Sequence, residues 1–231
     1  MMLGQRIINA ILRPLFALLL PYDIEGTENL PAKGPVIVMM NHINFSDVVM
    51  PGMFLPRDVV MMSKIENFRA PVLGLFVRAY GALPVHRGEV DMEAMRLALQ
   101  VLKRGEVLVI APEGTRSGNG CLQVGHDGLA FVAVQTGVPV VPIAMYGHER
   151  LGRNLAHLRR TPLHVRVGKP FRFVAGKRQR REQLHAMTQE AMYRLAALLP
   201  PEYQGAYAGP ERVTFMLTEP WLPQVAAGGT G

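Results

Sequence analysis

Cysteine is almost absent from this 231-residue chain: Cys121 stands alone, so no disulfide can form within it, which fits a reducing compartment. Charge is sparse too, at 19% of residues against 49% apolar ones. That balance excludes a largely disordered chain and leaves material for the full core of a single domain. Residues 7–20 are strongly apolar, but Arg13 and Pro14 interrupt them and they fall short of the ~20 residues that cross a bilayer. No small-residue cleavage site follows Leu20, so a signal peptide is not expected. The seven histidines show neither His-x-x-x-His nor His-Glu-x-x-His spacing. The chain also lacks a Gly-x-Ser-x-Gly nucleophile elbow and a Gly-x-x-x-x-Gly-Lys phosphate loop. Gly118-Asn119-Gly120 begins like a dinucleotide loop, but Gln123 occupies the place of its third glycine. Nothing in the sequence activates Cys121 as a nucleophile.

What is present in excess is positive charge. The formal net charge is +7 and the pI about 9.9. Between Arg150 and Arg181 there are eleven Lys or Arg residues and no Asp or Glu. Such a run suits a solvated basic face, an anionic membrane, an acidic protein or nucleic acid. Nucleic acid is the poorest fit, because Phe171 and Phe173 are the only aromatics interleaved with these cations. At the N-terminus, Ile7, Ile8, Ile11, Leu12, Leu15, Leu18 and Leu19 share one broad helical face, with Gln5, Arg6 and Asn9 off it. This pattern describes either a helix lying in a membrane interface or an amphipathic helix packed on a core.

Apolar runs of strand length alternate with helical patterns. The strand candidates are 22–25, 36–40, 59–63, 82–85, 107–111, 140–146 and 164–167, and the helix candidates 47–54, 71–80, 90–104, 128–136 and 181–199. This alternation predicts an α/β domain: a mixed, mostly parallel central sheet flanked by helices, with inner strands apolar on both faces. The chain divides into an N-terminal helix over residues 1–21, a main domain over 22–199, and a Pro/Gly-rich tail over 200–231. The tail is expected to be extended or frayed, with Phe215, Leu217 and Trp221 tacked onto the domain.

Ligands of open α/β sheets gather at the carboxyl ends of strands. Three polar clusters follow strand candidates here. In the first, His42 leaves strand 36–40 and Asp47 lies five residues on, at the start of a helix. A turn could bring the carboxylate onto the imidazole, giving a general base with an orienting partner, as in a protease triad without its serine. Equally, Asp47 or Ser46 could simply cap the helix, with His42 a loop residue. In the second cluster, Arg87 leaves a strand beside Gly88 and has the planar fork that grips phosphate, unless it is an ordinary turn arginine. The third, Pro112-Glu113-Gly114-Thr115-Arg116-Ser117, combines tight-turn residues with one cation, which suits an oxyanion; the plain alternative is a turn in which Glu113 pairs with Arg116.

Taken in order, these segments resemble the glycerolipid acyltransferase family, above all its 1-acylglycerol-3-phosphate (lysophosphatidic acid) acyltransferases. Asn41-His42 with Asp47, preceded by Glu25-Gly26-Thr27-Glu28-Asn29-Leu30-Pro31 and Gly34-Pro35-Val36-Ile37-Val38, resembles its first block, Asn-His-x-x-x-x-Asp. Pro84-Val85-His86-Arg87-Gly88 resembles the second, Pro112 to Ser117 the third, and Gly137-Val138-Pro139-Val140-Val141-Pro142-Ile143 the fourth. The resemblance covers roughly residues 24–175. It departs at His126-Asp127, where the family often has a lysine, and at His86, where the residue is often acidic.

The resemblance implies the family's glycerol-3-phosphate acyltransferase-like fold and an O-acyltransferase of phospholipid biosynthesis, making phosphatidic acid. It implies His42 as general base and Asp47 as its partner. Arg87, Glu113, Gly114, Thr115 and Arg116 would shape the acceptor site, and Pro142 would mark a strand lining it. It also implies acyl-CoA or acyl carrier protein as donor, no cofactor and no metal. A lysophospholipid acceptor places the protein at the cytoplasmic face of a membrane, held by the apolar helix and a basic face on an anionic surface. Other lysolipids or a lyso-aminolipid are alternative acceptors, and a non-catalytic lipid- or nucleic-acid-binding protein is a remoter one. Backbone amides near the start of the Asp47 helix are the expected oxyanion donors.

Overall fold

The computed structural model describes residues 3–86, 91–174 and 179–222. Among these are eight α-helices and nine strands. The helices are α1 (Leu3–Leu19), α2 (Met50–Phe54), α3 (Ile65–Arg69), α4 (Pro71–Ala79), α5 (Met92–Lys103), α6 (Gly128–Thr136), α7 (Leu151–Ala156) and α8 (Arg181–Ala196). The strands are β1 (Tyr22–Glu25), β2 (Val36–Met40), β3 (Val59–Lys64), β4 (Leu83–Val85), β5 (Val107–Ile110), β6 (Val140–Tyr146), β7 (Leu163–Val167), β8 (Phe171–Phe173) and β9 (Thr218–Pro220).

All nine strands form one sheet in the order β1-β7-β6-β2-β5-β3-β4, with β8 on β6 and β9 on β8. The central pairs β6–β2, β2–β5, β5–β3 and β3–β4 are parallel, whereas β6–β7, β6–β8 and β8–β9 are antiparallel. The central strands are apolar throughout because both their faces are covered. In β2, Ile37 and Met39 join a core built with α5, α6 and α8. Val36, Val38 and Met40 point the other way, into a second core roofed by α1, α2 and Tyr80. Fully burying such a side chain contributes about 1.5–3 kcal/mol, so these two layers supply most of the drive to fold.

Pro142 sits inside β6, which a missing N–H would ordinarily disfavour. Here β6 changes antiparallel partner: Val140 pairs with Phe171 of β8, and Ile143 with Val167 of β7. Pro142 lies between them, and its carbonyl accepts from the Gly168 N–H.

Two regions depart from expectation. α1 docks through Gln5 and Asn9 together with Ile8, Leu12, Phe16 and Leu19, which pack on the second core, so only part of its apolar row faces outward. Gln5 and Asn9 are buried, while Leu3, Ile7, Ile11, Leu15 and Leu18 are exposed. The Gln5 amide exchanges hydrogen bonds with the backbone N–H and carbonyl of Val59, at 3.1 and 2.8 Å. Asn9 donates to the Gly52 carbonyl at 2.8 Å and accepts from the Tyr80 hydroxyl. Gly4 crosses so close to the Ala79 carbonyl that a side chain there would collide with it. The chain after Pro200 is likewise more built-in than its composition predicts. It forms turns at Pro201–Tyr203, Gly205–Tyr207 and Pro210–Arg212 before β9 closes the sheet edge. The buried Tyr207 accepts a hydrogen bond from the Gly125 N–H.

The run from Arg150 to Arg181 is not one continuous basic face. Arg166 pairs with Asp23 and Glu25, and Arg172 pairs with Glu219, so residues outside the run neutralise part of it.

Candidate active site

Three parallel neighbours, β6, β2 and β5, end at the same edge, and their exits meet. Asn41 leaves β2 and ties it to β6: its amide donates to the Met145 carbonyl at 2.7 Å and accepts from the Met145 N–H at 2.8 Å. The next residue, His42, is clamped by its backbone to the loop after β5. Its N–H donates to Glu113 Oε1 at 2.8 Å, and its carbonyl accepts from the Ser117 N–H at 2.8 Å. This fixes where the imidazole starts before any side-chain contact is made.

Asp47 fixes where the ring points. The chain turns back through a short 3-10 helix, Phe45–Val48, capped by Asn44. Asp47 Oδ2 lies 2.9 Å from His42 Nδ1 and also accepts from the backbone N–H groups of Ile43 and Asn44, each at 2.8 Å. Capping and orienting are thus done by one carboxylate. Burial alone would raise the Asp47 carboxyl, but hydrogen bonds from His148 and His42 outweigh it and hold the group at about 2. Asp47 is therefore an anion at neutral pH and can only accept hydrogen bonds. The proton between the two groups resides on His42 Nδ1, so in the neutral ring the lone pair is on Nε2. Nε2 has no hydrogen-bond partner among the described residues, and 11% of the side chain reaches solvent. An imidazole in this state can take a proton from an incoming hydroxyl.

Glu113 has a different task from the one its loop implied. It is buried and joins the His42 N–H to the Gln123 N–H, at 2.8 and 2.9 Å, rather than pairing with Arg116. Burial raises its carboxyl above the usual range, and the two backbone donors only partly offset this. Glu113 is thus a brace beneath the histidine. Gly114 follows at φ 67°, and the His126 ring lies where a side chain at 114 would project. The exposed His126 occupies the departure noted in the sequence. Thr115 and Arg116 are exposed, and Arg116 makes no hydrogen bond or ion pair with any described residue. A cation held at the rim with no internal partner is available to an anionic ligand.

Two candidates remain. Arg87 lies outside the described residues. Its neighbour His86 bonds Asp91, the N-cap of α5. Pro142 is buried in the interior of β6, in register with Met39 of β2; β6 itself meets the cluster at Met145, beside Asn41, and just past its end at His148, beside Asp47. Most amides near Asp47 are not open oxyanion donors: those of Ile43, Asn44, Ser46, Asp47 and Val49 are already hydrogen-bonded locally. One residue of the cluster was not foreseen. His148, two residues past β6, places Nε2 2.6 Å from Asp47 Oδ1 and is wholly buried. The sequence signal was available: it is a polar residue at a fourth strand exit.

The family model described as Acyltransferase matches residues 22–146, which hold the His42–Asp47 pair and the Glu113–Arg116 loop. The chain belongs to the acyltransferase family. Among similar proteins, the chloroplastic 1-acyl-sn-glycerol-3-phosphate acyltransferase of Brassica napus is 34% identical over 128 residues, 54% of this chain and 37% of that one. The 1-acyl-sn-glycerol-3-phosphate acyltransferase of Bacillus subtilis is 28% identical over 181 residues, 76% of this chain and 86% of that one. A lyso-ornithine lipid O-acyltransferase of Pseudomonas aeruginosa is 32% identical over 128 residues, 54% of this chain and 48% of that one. The chain spans half or less of the length of the first curated relatives it matches. The crystal structure of the Thermotoga maritima 1-acyl-sn-glycerophosphate acyltransferase superposes with a TM-score of 0.61 at 24% identity, covering 81% of this chain and 76% of that one. That likeness establishes the acyltransferase fold, with its mostly parallel sheet and flanking helices.

Proposed function

We propose that this protein transfers a fatty acyl group from a thioester donor, acyl-CoA or acyl carrier protein, to the free hydroxyl of a lysophospholipid, 1-acylglycerol 3-phosphate first among them, giving phosphatidic acid. The observation that carries this reading is His42, with Nδ1 against the Asp47 carboxylate and Nε2 left open. His42 Nε2 takes the proton from the acceptor hydroxyl as its oxygen attacks the thioester carbonyl. The tetrahedral centre collapses, the C–S bond breaks, and the departing thiolate recovers that proton from His42. The substrate brings its own nucleophile, so no serine or cysteine of the protein need be acylated. General-base help is worth roughly 10²–10⁴-fold. Arg116 and Arg87 grip the acceptor phosphate, and orientation supplies much of the remaining acceleration.

The outward face of α1 supports a lipid acceptor. Leu3 is 72% exposed and Val72 of α4 is 82% exposed, and Ile7, Ile11, Leu15, Leu18 and Leu75 are exposed with them. A helix that docks through amides and part of its apolar row, yet still presents Leu3, Ile7, Ile11, Leu15 and Leu18, is organised for an apolar surround on its outer side. No helix among the described residues is long and apolar enough to cross a membrane. On this reading α1 lies in the interface of the cytoplasmic membrane face, with exposed cations such as Arg153 and Arg159 meeting anionic lipid.

A second acceptor class has its own support: His126 beside Gly114 in place of a lysine, and a relative named for a lyso-ornithine lipid. One experiment separates the two. Purified protein is given lysophosphatidate, glycerol 3-phosphate and a panel of lysolipids including an aminolipid, each with acyl-CoA and with acyl carrier protein, and thiol release is followed. The proposal expects release that depends on lysophosphatidate. Release with the aminolipid alone would move the assignment to that acceptor, and no acceptor-dependent release would overturn it.

A further inference from the structure

His148 lies outside residues 22–146, which the family pattern matches, yet it touches the centre of the site. The two oxygens of Asp47 are served unequally. Oδ2 takes three donors, from His42 Nδ1 and the N–H groups of Ile43 and Asn44. Oδ1 takes one among the described residues, His148 Nε2 at 2.6 Å. Asp47 and His148 are both wholly buried, so water does not stand in for that donor. The backbone around His148 is itself held, its carbonyl accepting from the Asn44 side chain at 3.0 Å and from the Leu151 N–H at 3.0 Å. The loop after β6 is thereby locked to the loop after β2 at the catalytic turn.

We infer that His148 is a positioning residue for acyl transfer: as the only described donor to Asp47 Oδ1, it sets the plane of the carboxylate and thereby the tautomer and aim of His42. This rests on the reading of His42 as general base. An ionised Asp47 requires a proton on His148 Nε2. The other nitrogen, Nδ1, is buried with no hydrogen-bond partner among the described residues. A bare lone pair there costs less than an unpaired N–H, so the geometry favours the Nε2–H tautomer, its proton aimed at Asp47 Oδ1. Without His148, Oδ1 is a buried anionic oxygen with no donor. The carboxylate then rotates or takes up a proton, and His42 Nδ1 loses the fixed acceptor that selects its tautomer.

The test compares His148→Leu, which removes the donor, with His148→Gln, whose amide N–H can reach the same oxygen without titrating. Thiol release and ¹⁵N spectra of the histidine rings are recorded on each. His148→Leu is expected to lower kcat roughly 10–100-fold with the acceptor KM unchanged, and His148→Gln to recover most of that loss. In the unaltered protein the spectra should place His42 in the Nδ1–H form and His148 in the Nε2–H form. His148→Leu should convert the His42 signal to a mixture. If His148→Leu does not fold, the spectra of the unaltered protein and the rate of His148→Gln still decide the matter. A His148 protonated on Nδ1, or a His148→Gln enzyme as slow as the Leu variant or slower, would overturn the inference. So would a folded His148→Leu enzyme with unchanged kcat and an unchanged His42 signal. Full activity in His42→Ala, by contrast, would sink the general-base reading itself, so the two failures are distinguishable.

Discussion

The loop after β2 and the loop after β5 meet at one edge of the sheet but are built on opposite plans. In the first, Asn41, His42, Asn44 and Asp47 are all buried, and their side chains are engaged with one another or with the ends of β6. In the second, only the root is fixed. Glu113 is buried beneath His42, whereas Thr115 and Arg116 reach solvent and Arg116 has no partner among the described residues. Under the proposed function the difference separates two duties. A general base must be aimed before the substrate arrives, because misplacement directly costs rate. A binding cation must be free until the substrate arrives, because an internal ion pair would have to be broken first. Substitutions in the first loop should therefore act on kcat and those at the tip of the second on KM.

The largest effect is expected at Asp47. Asp47→Asn places an amide among donors that need an acceptor, and kcat should fall on the order of 10²–10⁴-fold. The same substitution should alter acid stability. The folded Asp47 carboxyl is held at about 2, below its ordinary 3.8. Its contribution is thus complete above about pH 4 and disappears as pH falls towards 2, a loss on the order of 2 kcal/mol. Glu113 acts in the opposite sense at higher pH, because its carboxyl is raised. The fold gains from Glu113 as pH falls through that raised value towards 4.5. Urea titrations at pH 7, 4 and 3 should show the Asp47 loss in the native chain and its absence in Asp47→Asn.

Arg116→Ala comes next. It should raise the acceptor KM about tenfold or more, the worth of one charge-assisted contact, and leave the donor KM unchanged. An effect confined to the donor would move the anion site elsewhere and break the division between the loops. A smaller, purely structural effect is expected at α1, where Gln5→Ala strips the partners from the Val59 N–H and carbonyl and should cost about 1–3 kcal/mol in denaturant unfolding. Smallest in stability is Ile11→Gln with Leu15→Gln, expected within about 0.5 kcal/mol of the parent, while binding to anionic vesicles in a flotation assay drops. Unchanged flotation would remove α1 from the membrane contact.

The central fold was legible because β2, β5 and β6 carry unbroken apolar runs, which only strands covered on both faces need. The short strands β8 and β9 were not. β8 has three residues inside a basic stretch, and β9 ends at Pro220, on the outermost strand, where a lost N–H is tolerated. Both are held by partners distant in sequence, which local pattern does not register. In α1 the apolar row was readable but its division was not: Ile8, Leu12 and Leu19 pack on the core while Ile7, Ile11, Leu15 and Leu18 face outward. Spacing and a turn allowed the His42–Asp47 contact but equally a plain helix cap; the ordered family motifs favoured the contact. The roles of Glu113 and His148 depend on which strand exits become neighbours, which is a property of the sheet order. His148 was the legible omission, since Gly147-His148-Glu149 leaves β6 just as His42 leaves β2.

The most direct measurement is the turnover of His42→Ala with saturating lysophosphatidate and acyl thioester, beside a spectrum confirming that the variant is folded. A fall of 100-fold or more in thiol release is predicted, the least expected of a missing general base. A folded variant retaining more than about a tenth of the rate would contradict the account.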